Sequence, residues 1–158
     1  MSLQDYVNRR YDYLAVRNVK KIGNAKLGLE LFNAQTSGEI CTGIQKLSQR
    51  WLLEFLTELG SMPGLPDRGA SFMTAARQGR ILNSLTAASA FESASIGVRR
   101  NLQNEEALDT PDDERFASAE LVSAAILPGY LQLQVKINSI AGDSREIILP
   151  ISVLPTNT

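Results

Sequence analysis

The chain has 158 residues, of which 44% are apolar and 21% charged, so its length and composition suit one soluble globular domain with a single core. Its net charge of −1, with acids and bases interspersed, argues against nucleic acid or an anionic membrane surface as a partner. Histidine is absent and Cys41 is the only cysteine, which removes the commonest general base, the commonest metal ligand and any intramolecular disulfide. We therefore expect no catalytic residue, no metal, no cofactor and no small-molecule substrate.

The N-terminal residues predict an arm rather than part of the core. Residues 1–23 mix tyrosines with basic side chains, and residues 24–158 are predicted to form one domain. Tyrosine and arginine could stack on RNA bases or lie over a neighbouring protein, where both are enriched at contact hot spots. Because the rest of the chain is nearly neutral, we favour the protein contact. The segment lacks the apolar stretch of a signal peptide, and no stretch has the length of a membrane span, so we expect a cytoplasm-like environment.

The next elements are a strand and a long helix. Residues 26–32 (KLGLELF) alternate apolar and other side chains, which predicts a half-buried strand, and residues 33–38 have turn composition. Residues 39–59 predict a helix with two adjacent apolar stripes. The first comprises Ile40, Ile44, Leu47, Trp51 and Phe55, and the second Leu52, Leu56 and Leu59. So wide an apolar arc indicates a helix that is either central to its own fold or shared with a partner.

Two further helices are predicted after an irregular loop. Gly60 ends the long helix, and Pro63 and Pro66 restrict the backbone of residues 60–69. A short helix is expected over residues 70–78 and a long one over residues 84–107. Phe91, Val98 and Leu102 share one face of this second long helix, with small side chains between them that permit close backbone approach.

The C-terminal part predicts an antiparallel sheet. Residues 116–127 and 130–140 are expected to be strands, and residues 141–144 form a turn into a returning strand over residues 145–154. Pro150 lacks an N–H and places this last strand at an edge or at a bulge. The fold class is therefore α+β. The predicted inward residues are Leu131, Leu133, Val135 and Ile137 on one strand and Ile147, Leu149, Ile151 and Val153 on the next.

Few residues could support catalysis. Asp109, Asp112, Asp113 and Glu114 are the only concentration of carboxylates, and they lie on a proline-led turn that suits a solvated surface better than a glycosidase pair. No phosphate-binding glycine pattern, calcium loop or nucleophile elbow occurs. The adjacent Glu114 and Arg115 stand at a helix-to-strand junction. There the arginine could cap helix carbonyls, clamp a carboxylate or form an ordinary surface ion pair.

The order of these features resembles a known family. The first long helix ends in Leu52-Leu53-Glu54-Phe55-Leu56-Thr57-Glu58-Leu59-Gly60-Ser61-Met62-Pro63, followed by Pro66-Asp67-Arg68-Gly69, a second long helix, an acidic-Arg junction and a C-terminal hairpin. Over about residues 24–154 this resembles the baseplate wedge family of contractile phage tails, with relatives in type VI secretion. Family members carry Glu-Pro-Arg at the junction, whereas Asp113-Glu114-Arg115 stands here without that proline.

The resemblance implies a structural role in the virion, in a tail baseplate assembled in the host cytoplasm. Several copies in a symmetric ring would bind other wedge proteins and the tail sheath protein. The expected helix contacts are Trp51, Phe55, Phe91, Val98 and Leu102, and the expected sheath-docking residues are Ile147, Ile148, Leu149, Ile151 and Val153. Two alternatives stay open: a lysozyme-like peptidoglycan hydrolase using Asp112, Asp113 and Glu114, and a nucleic-acid-binding adaptor using the arm.

Overall fold

The computed structural model has an α+β fold, which confirms the predicted class. It describes residues 9, 10, 12, 13, 16–19, 26–29 and 40–152. Three helices lie between short N-terminal strands and a C-terminal three-stranded sheet. Within the described residues no helix is both long enough and apolar enough to cross a membrane.

The N-terminal strands form two small antiparallel pairs. β1 (Asp12–Tyr13) pairs with β4 (Ile40–Cys41), and β2 (Val16–Val19) pairs with β3 (Lys26–Leu29). The strand predicted over residues 26–32 is therefore found at its first four residues, and its remainder and the turn at 33–38 lie outside the described residues. β3 approaches β7 of the C-terminal sheet to within 8 Å between Cα atoms.

The helices occur in the predicted order, and each is shorter than predicted. α1 spans Gly43–Leu56, α2 spans Phe72–Arg77 and α3 spans Ser84–Glu105. α1 was expected from residue 39, but Ile40 and Cys41 pair with β1 instead. It ends before residue 59 because Thr57 and Glu58 turn away to bond the chain near Ala70. α3 begins at a capping box between Asn83 and Thr86, which satisfies backbone donors of its first turn.

The C-terminal sheet has the order β5-β6-β7, formed by Phe116–Leu127, Tyr130–Ser139 and Ser144–Ser152. All pairs are antiparallel, and β5 has register shifts before Ser118 and before Ser123. The predicted alternation is confirmed wherever it is described: Leu131, Leu133, Val135, Ile137, Ile147, Leu149 and Ile151 are buried. Val153 lies outside the described residues. Pro150 is on an edge strand, as its missing N–H predicts.

The core lies between the sheet and the two long helices. α1 contacts β6 and β7, and α3 contacts β5. Four aromatic rings join the three helices: Trp51 stacks on Phe55 with ring centroids 4.8 Å apart, and Phe55 also contacts Phe72 and Phe91. Such ring pairs add about 0.5–1.5 kcal/mol each beyond their burial, so they fix the helices relative to one another.

The loop after α1 is held by a buried carboxylate. Glu54 is 4% exposed and accepts hydrogen bonds from Gly69 N at 2.8 Å and Asn101 Nδ2 at 2.6 Å, and its second oxygen pairs with Arg68 at 2.8 Å. Arg68 also pairs with Glu105 at the end of α3. The Pro66–Gly69 turn therefore joins α1 to α3, and its role in this chain is structural.

Replacing Gly69 with alanine should destabilise the fold strongly. Gly69 has φ +93°, and a Cβ there would lie 2.5 Å from the carbonyl oxygen of Thr57. We expect a loss of about 3 kcal/mol or more, measured by denaturant unfolding. Gly142→Ala is the matched control, because Gly142 has φ +89° with nothing within 4 Å of an added Cβ. That control should lose only about 1–2 kcal/mol from backbone strain. Equal losses for the two variants would contradict the close approach at Gly69.

Candidate interaction site

A buried carboxylate at the helix-to-strand junction forms the centre of the candidate site. Glu114 ends a 3₁₀ turn (Asp112–Glu114) and is 2% exposed. Its Oε1 accepts from the backbone N–H of Gly43 at 3.1 Å, and its Oε2 accepts from Lys46 Nζ at 2.7 Å. The carboxylate therefore meets both the positive end of the α1 dipole and a formal positive charge, which offset the cost of burying it.

Local backbone features bring the acidic turn against α1. Pro111, with φ −60°, precedes the 3₁₀ turn and suits its entry. Gly43 has φ +60°, and a Cβ there would lie 3.0 Å from Asp113 Oδ2. Glycine at this position thus removes both the backbone strain and the steric conflict. As a result, two carboxylates can lie over the first turn of α1.

Described residues of the N-terminal arm lie on the same junction. Arg9 pairs with Asp113 at 2.6 Å, and Lys46 Nζ donates to the carbonyl oxygen of Arg10. Gln49, which is buried, donates to Asp12 Oδ2 at 3.2 Å and to the carbonyl oxygen of Tyr13 at 2.9 Å. At residues 9, 10, 12 and 13 the arm therefore contacts its own domain mainly through polar groups. Tyr6 and Tyr11 lie outside the described residues, and the arm's contact with another protein stays a prediction.

Arg115 contacts different residues from those that Glu114 contacts. Its Nε is 3.6 Å from Glu106 Oε2 and its NH1 is 3.5 Å from Asp112 Oδ1, with the side chain 39% exposed. Glu106 also accepts from the N–H of Phe116 at 2.6 Å, which ties the end of α3 to the start of β5. The two residues of the junction motif thus serve different connections: Glu114 fastens the turn to α1, and Arg115 fastens it to the segment after α3.

Each carboxylate of the acidic cluster faces a cation. Asp112 pairs with Arg115, Asp113 with Arg9 and Glu114 with Lys46. A cleft of about 450 Å³ lies beside them, lined by Arg9, Arg10, Lys46, Arg50, Glu105, Ala107, Asp109, Thr110, Pro111 and Glu114. In the described part of the chain, no three His, Cys, Asp or Glu side chains are grouped so as to hold a metal ion. The arrangement is that of ion pairs joining segments of the fold.

The helix residues predicted to bind a partner lie inside the chain itself. Trp51, Phe55, Phe91 and Val98 are 0% exposed and Leu102 is 1% exposed, and all five belong to one core cluster. Their contact with a wedge protein stays a prediction that would require the core to open. The large apolar side chains exposed on the helices are Leu53, Leu85 and Ile96. The exposed Leu59, expected in the second stripe, lies beyond the end of α1.

The hairpin residues divide between the core and the surface. Ile147, Leu149 and Ile151 point into the core, whereas Ile148 is on the opposite face and partly exposed. Among the described strands β7 pairs with β6 alone and so lies at an edge of the three-stranded sheet, with Cα atoms of β3 within 8 Å of it. The part of this hairpin that can meet another chain is its outer face and its backbone edge, while the inward isoleucines and leucine anchor it.

Two features were missed from sequence. From the sequence, Glu54 was named only as part of the motif that ends the first long helix. In the structure it is one of six buried polar or charged side chains among the described residues. Its burial had no local signal in the sequence, because the groups that cover it, Gly69 and Asn101, come from distant segments. The clustering of Lys46 with Glu114, 68 positions apart, likewise had no local signal.

Comparison with known proteins adds no relative: no protein-family model matches this sequence, and no curated protein matches it significantly.

Breaking the Glu114–Lys46 pair should destabilise the protein. Glu114→Gln leaves Lys46 without its charge partner in a site where the lysine side chain is 14% exposed. We expect a loss of about 3 kcal/mol in the free energy of unfolding. Lys46→Met should cost a similar amount, and the double variant should cost less than the sum, because each single change leaves one buried charge uncompensated.

Asp109→Asn is the matched control for this cycle. Asp109 pairs with Arg10, but the two side chains are 71% and 84% exposed, so its loss should change stability by about 0.5 kcal/mol or less. Additive losses in the Glu114–Lys46 cycle would show that the two side chains do not interact.

Alkaline pH should weaken the fold through Cys41. Burial raises the pKa of the Cys41 thiol from 9.0 to about 11, with Asp12 adding to the effect. Between about pH 9 and 11 the thiol ionises in the unfolded chain but stays protonated in the folded one, so stability falls as pH rises through this window. Denaturant unfolding against pH measures the fall, and Cys41→Ala should make it shallower. An unchanged slope in that variant would contradict this assignment.

Proposed function

We propose that this chain is a structural component of a contractile-tail baseplate wedge. In this proposal it binds other wedge proteins through its helical side and provides its C-terminal sheet as the position where the tail sheath begins to assemble. It acts in several copies around a symmetric ring of the virion, without catalysis. The order of sequence motifs supports this proposal, and the α+β fold with its C-terminal hairpin agrees with the resemblance.

The edge position of β7 is the observation that carries the sheath contact. The strand is fastened to the core by Ile147, Leu149 and Ile151, and it has one paired neighbour among the described strands. An exposed strand edge offers unpaired N–H and C=O groups to an incoming strand, which is the chemistry of strand addition. Pro150 has no N–H to donate, so the contact would be made by the part of the strand that precedes it.

One backbone group is the best candidate donor. The β6–β7 ladder stays intact at Pro150 only if its nitrogen faces away from β6. Backbone groups alternate along an antiparallel strand, so the N–H of Ile148 also faces away from β6. The side chain of Ile148, on the outer face, lies beside that group. Ile148 is therefore the hairpin residue that an added sheath strand would meet first.

The polar groups near the acidic turn support the non-enzymatic part of the proposal. Every carboxylate of Asp112, Asp113 and Glu114 is engaged by a cation of the same chain, and Glu114 is buried. A hydrolase would instead need one free acid and one carboxylate facing each other across a substrate cleft. The ion pairs of these carboxylates hold α1, the arm and the start of β5 together.

Removing the Ile148 donor should prevent sheath attachment. In a contractile particle assembled with Ile148→Pro, we expect baseplates that lack attached sheath, since the variant lacks the outward N–H but keeps the β6–β7 bonds. Negative-stain electron microscopy of assembled particles measures the sheathed fraction. Circular dichroism and unfolding of the purified variant check that it folds.

Two controls make the outcome interpretable. Ile148→Val keeps the N–H and should assemble normally, whereas Leu149→Pro removes a bond to β6 and should fail to fold. A folded Ile148→Pro chain that supports a normal sheath would overturn the proposed contact at this edge. Robust cell-wall hydrolysis by the purified wild-type protein would overturn the structural role as a whole.

A further inference from the structure

The outward stripe of α3 has a pattern that the chain's own packing leaves unexplained. Leu85 is 77% exposed and Ile96 is 74% exposed, although both lie in a well-formed helix of 22 residues. Leu108, just beyond the helix, is fully exposed. Single exposed apolar residues are ordinary on protein surfaces. The informative feature is the pair of charged residues that flank Ile96 on the same side of the helix.

The stripe is nearly symmetric about Ile96. Leu85 lies eleven residues before Ile96 and Leu108 twelve residues after it, and Glu92 and Arg100 lie four residues on either side. Steps of seven, four and four residues place Leu85, Glu92, Ile96 and Arg100 on one side of the helix, opposite the buried side. Because Leu108 lies beyond the end of α3, the stripe on the helix itself is centred on Glu92, Ile96 and Arg100, which give the order charged, apolar, charged in either direction, with the charge sign reversed.

The two charges on the stripe have no partner in the described part of the chain. Glu92 and Arg100 are exposed, and neither side chain makes a hydrogen bond or an ion pair with a described residue. The neighbouring Arg99, in contrast, donates to the carbonyl oxygen of Ala117 and is used within the fold. Glu92 and Arg100 are therefore available to charges of another molecule.

We propose that α3 docks on α3 of a second copy of this chain, antiparallel and with a twofold axis at Ile96. In such an isologous contact, residue i of one copy meets residue j of the other and the reverse holds as well. Ile96 then packs on Ile96 of the second copy, and Glu92 of each copy faces Arg100 of the other, which gives two ion pairs.

Self-complementarity is what favours a second copy over a different protein. The opposite charges stand at equal distances from the central apolar residue, so one symmetric contact satisfies both pairs at once. An unrelated helix would need the reversed pattern independently. The contact is one helix wide, which is less than the roughly 800 Å² per partner of a standard interface, so we expect a dimer that forms at high protein concentration.

This dimer does not depend on the proposed baseplate role. The α3 stripe adjoins β5, whereas the proposed sheath contact is at β7, the other edge of the sheet. Failure of the dimer therefore leaves the proposed sheath contact intact, and failure of the sheath contact leaves the dimer intact.

Charge reversal tests the pairing directly. By sedimentation equilibrium of the full chain, Glu92→Arg and Arg100→Glu should each weaken self-association by about tenfold or more, because each brings like charges together twice. The double variant, with both charges exchanged, should recover wild-type association. A mixture of the two single variants should form heterodimers, since every facing pair is then opposite in charge.

A covalent trap locates the axis. Ile96→Cys should give a disulfide-linked dimer under mild oxidation, because the two introduced thiols meet at the twofold axis, while native Cys41 is 0% exposed. Leu65→Cys, at a half-exposed loop position away from the stripe, is the control and should remain monomeric. A wild-type chain that stays monomeric at all concentrations would overturn the proposal and leave the stripe to a helix of another protein. So would an association that is unchanged by both charge reversals.

Discussion

The buried Glu114 carboxylate at the first turn of α1 is the interaction on which the rest of the arrangement depends. A charge at 2% exposure is stable only with compensation, and the compensation comes from the N–H of Gly43 and the ammonium of Lys46. Because Glu114 lies two residues before the start of β5, this requirement fixes where the sheet begins relative to α1. The arm joins the same place through Arg9 and Asp113.

A second buried carboxylate acts toward the other end of α1. Glu54 draws the Pro66–Gly69 turn and Asn101 of α3 onto the helix, and Arg68 extends the connection to Glu105. The apolar face of α1 packs against β6, β7 and the aromatic side chains of the other helices. α1 is thus held by apolar contacts along its length and by ionic contacts near both ends. Its wide apolar arc is therefore buried inside the chain.

Because the apolar face of α1 is buried inside the chain, it is not a surface that can bind a partner. The residues expected to grip another helix form the core, so intermolecular contacts that keep the fold intact must use other groups. Two such surfaces are the outer edge of β7, where backbone groups face outward, and the stripe of α3 centred on Ile96. They lie at opposite sides of the sheet, since α3 packs on β5. A protein that joins neighbours in an assembly needs separate surfaces of this kind.

Sequence alone determined much of the fold, because the patterns involved are local. Alternation over residues 130–140 specified both the strand and its buried face, Pro150 specified an edge, and three- and four-residue spacing specified both long helices. The predicted ends were less accurate where a distant segment competed for the backbone. Ile40 and Cys41 left the predicted helix for a ladder with Asp12 and Tyr13, and Thr57 left it for a bond with Ala70.

Tertiary structure alone decided the roles of the charged residues and the direction in which apolar faces point. Nothing local distinguishes Glu114, which is buried against Lys46, from Asp109, whose pair with Arg10 lies in solvent. Likewise, periodicity placed Phe91 and Val98 on a common face of α3 but could not say whether that face met the chain itself or a partner. The physical reason is the same in both cases: burial depends on what distant segments bring to a residue, and those segments are specified by the whole fold.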